Sequence, residues 1–165
     1  MATNTIEQRL RTLLLVLTGC ICVFTIAELW LSEHMESVIQ LIPFVLCGLG
    51  LIAVLGALFR PQRRTLWALR VVMLLLIVGS LFGIVEHLEA NVAFERDIRP
   101  NATTSAVVFD ALKGASPLLA PGILALAGIL GLASTYYHPA LGSGKTISTV
   151  GVHLQGTPSN DIVQR

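Results

Sequence analysis

LIPFVLCGLGLIAVLGALF, residues 41–59, runs for nineteen positions without a charged side chain. A hydrocarbon core about 30 Å thick is crossed by about 20 helical residues. Lipid offers backbone groups no hydrogen bonds, so a segment inside it must bond to itself, as a helix does. This stretch reads as a transmembrane helix, and three more follow the same pattern. Residues 13–31 are apolar apart from Glu28 and a few small polar side chains. In residues 65–88, Arg70 is the one charge before Glu86, one turn inside the run where a long side chain can snorkel to the boundary, and the helical pattern continues to about residue 95. Residues 117–137 again carry no charge. Trp30, Trp67, Tyr136 and Tyr137 stand near the ends of these runs, where amphipathic rings favour the membrane–water boundary.

The whole composition agrees. The 165 residues are 54% hydrophobic and 13% charged, against about 25% charged in a soluble chain, and mean hydropathy is +0.76. The expected fold is an all-α integral membrane protein, a four-transmembrane-helix antiparallel bundle. A net charge of +1 gives no reason to expect a nucleic-acid partner.

Basic residues set the orientation. Arg9, Arg11, Arg60, Arg63, Arg64, Arg70, Lys145 and Arg165 fall on one side, with only Arg96, Arg99 and Lys113 on the other. The positive-inside rule then places both termini in the cytoplasm. Residues 1–12 are the cytoplasmic N-terminus, 13–137 the four-helix domain, 96–116 its outer loop and 138–165 a flexible cytoplasmic tail. Short loops favour a bacterial inner membrane. Within the outer loop, Val107, Val108, Ala111 and Leu112 have the spacing of a short amphipathic helix.

Two local motifs are set aside. Leu17-Thr18-Gly19-Cys20 resembles a bacterial lipobox, but Ile21-Cys22-Val23-Phe24 stays apolar, which favours an uncleaved helix. Gly144-Lys145-Thr146 has the ending of a phosphate loop, but Pro139 stands where its first glycine belongs. Cys20, Cys22 and Cys47 lie inside apolar runs without a CxxC spacing and read as packing residues.

Function must come from the polar residues. Eight of the ten acidic residues, Glu28, Glu33, Glu36, Glu86, Glu89, Glu95, Asp97 and Asp110, fall on the outer side, with His34 and His87. Exposed members of that group have a plain explanation as wet boundary residues. Glu28 and Glu86 do not, because a carboxylate within an apolar run is costly. His87, Asn91 and Glu95 are spaced i, i+4 and i+8, hence on one helix face, and Glu86 adjoins it. The candidate site is Glu28, His34, Glu86, His87, Asn91 and Glu95, converging at the outer mouth of the bundle. Carboxylates and imidazoles on facing helices build metal sites in bundles. Zinc, copper or iron would suit the donors.

Two further chemistries are open. His34 and His87 as paired axial ligands would hold haem b, and a membrane-embedded Glu beside His suits quinone or proton handling. Neither Glu-x-x-His nor HExxH occurs, and no catalytic set is complete. The first expectation is therefore a small accessory or binding subunit, with a membrane-protein partner or a homo-oligomer, rather than an enzyme on its own. A redox subunit is the alternative. Proton or cation transport ranks last, since the second and fourth spans are nearly free of polar groups.

Overall fold

The computed structural model describes residues 2–33, 35, 37–114 and 116–142. Five α-helices account for most of them: α1 Ala2–Leu31, α2 Val38–Phe59, α3 Arg63–Ile98, α4 Thr104–Ala111 and α5 Leu119–Ser134. A 3₁₀ turn, Pro139–Leu141, follows. Among the described residues there is no strand.

Helices α1, α2 and α3 are long and apolar enough to cross a membrane. At 36 residues, α3 is about 54 Å long and outreaches a hydrocarbon core of about 30 Å. Helix α5, at 16 residues, is about 24 Å long. It is shorter than the 117–137 run because its ends are turns. Leu118 precedes it in a turn, and Tyr137 beyond it takes a left-handed backbone, φ 47°. Pro121 falls in its first turn, where a missing N–H removes no helical bond.

Local chemistry explains where the helices begin. Ser37 accepts from the Gln40 N–H while the Gln40 side chain accepts from the Ser37 N–H, a reciprocal capping box that starts α2. Thr103 caps α4 in the same way by accepting from the Ala106 N–H.

Helices α1, α2, α3 and α5 form a ring in which each packs on two neighbours, and α4 lies against α3. The contacts fix an antiparallel arrangement. Gly19 faces Val54 and Cys22 faces Gly50 between α1 and α2. Gly50 faces Leu76, and Gly56 faces Thr65, between α2 and α3. Gly83 faces Pro121, and Gly128 faces Met73, between α3 and α5. Thr18 of α1 donates to the Ala127 carbonyl of α5 at 3.4 Å.

Arg60, Arg63, Arg64 and Arg70 gather at one end of this ring, the basic end, with Arg9 and Arg11 of α1. Glu28, Glu86, Glu95, Asp110 and α4 lie at the other, the acidic end. Leu66, Leu69, Met73 and Leu76 of α3 fill the basic half, each no more than 1% exposed. Backbones approach closely around them. A Cβ on Gly128 would stand 2.7 Å from the Met73 carbonyl oxygen and 2.6 Å from Ile77 Cγ1. The glycines therefore serve packing inside the protomer, as small residues between apolar helices do.

Arg70 differs from its expected role. A snorkelling side chain was anticipated there. Instead its Nε donates to Thr135 Oγ1 at 2.9 Å and its guanidinium to the Thr135 carbonyl at 3.3 Å, with Trp67 stacked beneath it. The cation sits at the C-terminus of α5, where unpaired carbonyls favour positive charge. Large apolar side chains cover the outside, including Phe24, Ile52 and Val78 at 62–73% exposure, the surface expected of helices set in lipid.

Candidate functional site

The acidic half of the ring holds a partly open cavity of about 550 Å³ lined by α1, α2, α3 and the start of α5. Its origin is a shortage of side-chain volume. Gly79, Ser80, Gly83 and Ala90 recur along one face of α3; Leu46 packs onto Gly79 and Pro121 onto Gly83, and Ala120 of α5, Thr25 of α1 and Ser32 just beyond α1 complete the lining. On α3, these are the positions that Leu66, Leu69, Met73 and Leu76 occupy with bulk at the other end. Leu46 and Leu124 form the inner wall. Pro43 lies inside α2 on the same wall, and its missing N–H releases the Ile39 carbonyl from the helical ladder.

Polar groups ring the mouth. Glu28 projects from α1, Gln40 from α2, and Glu86 and His87 from α3. His87 Nδ1 donates to the Pro117 carbonyl at 3.1 Å, which orients the imidazole and ties α3 to the segment entering α5. Glu28 is exposed and Glu86 half-buried. Among the described residues neither is paired with a lysine or arginine, and the cavity lining contains neither residue type. The nearest arginine in sequence beyond α3 is already engaged. Arg99 is clamped between Glu95 and Asp110, and hydrogen bonds to those carboxylates hold its guanidinium above its ordinary value.

Of the six residues singled out from the sequence, the five that are described fall into two groups. Glu28, Glu86 and His87 share one cavity. Asn91 is buried and faces the loop instead: its Nδ2 donates to the Ala111 and Ser116 carbonyls at 3.0 and 2.9 Å, and its Oδ1 accepts from the Ser116 N–H at 2.9 Å. Gly114 permits this, because a Cβ there would collide with the Asn91 amide. Glu95, also buried, braces Arg99. Helical spacing places Asn91 and Glu95 on one face with His87, but α4 and the loop cover the upper part of that face, where Asn91 bonds to Ala111 and Ser116 and Glu95 to Arg99. His34, like Glu36, lies outside the described residues. Among the described residues no three His, Cys, Asp or Glu side chains come together in a group fit to hold a metal ion.

Sequence reading missed the cavity wall. Its signal was present as small residues at helical spacing, Gly79, Gly83 and Ala90, continuing into Glu86 and His87. Cys22 and Cys47 are buried free thiols between α1 and α2, and Cys22 Sγ packs against Gly50. No protein-family model, curated protein or solved structure matches this chain.

Proposed function

We propose that this chain is a small integral membrane binding protein whose cavity accepts one amphipathic organic molecule. The molecule's apolar body lies between the helices and its polar head at the Glu28–Glu86–His87 mouth. The observation that carries the reading is the cavity itself. About 550 Å³ lies within the range of small-molecule sites, about 300–1,000 Å³, which are mostly apolar with a few convergent polar groups. An accessory role suits a chain with a binding cavity and no complete catalytic set.

In this reading α5, with its flanking turns, completes a fourth crossing. The excess of arginine at one end places that end in the cytoplasm and the mouth outside, facing the periplasm if the membrane is a bacterial inner membrane. A membrane-protein partner fits the accessory role. The glycines lend no support to self-association, since Gly50, Gly79, Gly83, Gly128 and Gly131 all pack within the protomer.

The test uses the full chain in lipid nanodiscs with a fluorescent reporter in the wall, Phe82→Trp, in a Trp30→Phe/Trp67→Phe background. Three quenchers share one bromophenylhexyl body and differ in the head: alcohol, carboxylate or trimethylammonium. Saturable quenching by at least one of them, abolished by the cavity-filling Ala120→Phe, is the expected result. Quenching that rises linearly with every probe, or that survives Ala120→Phe, reports partition into lipid and overturns the reading.

A further inference from the structure

The charge of the cavity narrows its ligand. Its lining brings two carboxylates, Glu28 and Glu86, to one mouth without a lysine or arginine among the lining residues. Arg99, the basic residue just beyond α3, is held by Glu95 and Asp110. Arg70 is tied to the far end of α5. Lys113 stacks on Phe109, 4.3 Å from the ring centroid. Arg96, near the end of α3, is exposed and outside the lining.

Below the mouth the wall is apolar, formed by Leu46, Phe82, Pro121 and Leu124. A phosphate or carboxylate head would meet two like charges there. A neutral head would leave both carboxylates without a counter-ion among the lining residues. A cationic head supplies one, and an apolar body fills the space the small residues leave.

Resting on the binding role proposed above, we infer that the ligand is a lipophilic organic cation, with its ammonium head between Glu28 and Glu86 and its apolar body against Leu46 and Leu124. Glu86, half-buried, contributes more than the exposed Glu28, because desolvation strengthens a charge pair. His87 is held by the Pro117 carbonyl and serves to fix the mouth rather than to bear the ligand's charge.

The same reporter protein and the same three quenchers test this. The trimethylammonium probe is expected to bind tightest, the alcohol more weakly and the carboxylate weakest. Glu86→Gln is expected to weaken the cation by about fivefold, and Glu28→Gln/Glu86→Gln by about tenfold. The alcohol binds no more weakly in those variants, which shows that the cavity still folds. Glu89→Gln, an exposed change outside the lining, leaves all three probes unaffected. Saturable binding in which the alcohol or carboxylate equals the cation, or in which the double variant binds the cation normally, overturns the inference while the cavity reading stands. Loss of saturable binding for every head overturns the cavity reading instead.

Discussion

The two halves of this bundle are built from the same four helices and end up opposite in character. At the basic end α3 presents Leu66, Leu69, Met73 and Leu76 to its neighbours, and glycines on the facing helices let those side chains interlock. At the acidic end α3 presents Gly79, Ser80, Gly83 and Ala90; Leu46 of α2 packs onto Gly79 and Pro121 of α5 onto Gly83, while Ala120 and Thr25 put little volume beside Ala90 and Ser80. Large side chains interlock with glycines throughout the basic half; in the acidic half Thr25, Ala90 and Ala120 leave part of the space open. The closed half holds the ring together, and that frees the other half to keep a cavity and two carboxylates without a lysine or arginine partner among the described residues.

The largest expected effect comes from filling the closed half. Gly128→Val drives a side chain into the Met73 backbone, which cannot swing away as a rotamer can. Overpacking of that kind costs about 3 kcal/mol, read as a fall in thermal midpoint in detergent. Its partner experiment is Gly122→Ala, near the cavity on the same helix, where an added Cβ meets nothing within 4 Å. That variant should be unchanged or stabilised by up to about 1 kcal/mol through helix propensity. Equal losses at the two sites would break the distinction between a packed and an open half.

A second experiment asks whether the cavity's rim is held locally. Asn91 makes three hydrogen bonds to the segment that carries Ser116 and Pro117 into the mouth. Asn91→Leu keeps the volume but leaves the Ala111 and Ser116 carbonyls and the Ser116 N–H without that partner, a local cost of about 3 kcal/mol. Hydrogen exchange should quicken over residues 104–118 while amides of the closed half keep their protection. Equal acceleration throughout would show one cooperative unit instead of two regions.

These contrasts also explain what could be read in advance. The all-helical class was legible because charge-free runs of spanning length have few other solutions. Glu28, Glu86 and His87 were legible as companions because helical spacing and the positions of the runs bring them to one end. The cavity was not, since it consists of volume missing at positions scattered over four helices, and no single run reveals that. Asn91 and Glu95 shared a face with His87, but spacing along one helix could not say that α4 would fold onto its upper part. Arg70 was expected to snorkel because the position of the C-terminus of α5 depends on the ring.

The smallest effect belongs to the basic end and tests its dependence on charge. His138 caps the 3₁₀ turn, its Nδ1 accepting from the Ala140 N–H at 3.2 Å. Burial, and then the nearby Arg11 cation, hold its imidazole below the ordinary value of 6.5. Arg11 is fixed there by the Tyr137 carbonyl at 3.1 Å and by Glu7. Because the folded state disfavours the imidazolium, the unfolded chain binds more protons between the lowered value and 6.5, and stability rises with pH through that window. The contribution is complete above 6.5 and is lost as pH falls through the folded-state value. Protonation also removes the Nδ1 acceptor, so charge and capping fail together. His138→Asn keeps a capping oxygen but does not titrate. Between about pH 7.5 and about pH 5.5 its thermal midpoint should fall less than that of the parent chain. A steeper fall in the variant would mean that the imidazolium is stabilised in the fold. Arg11 would then act on the basic end only through its bonds to Tyr137 and Glu7.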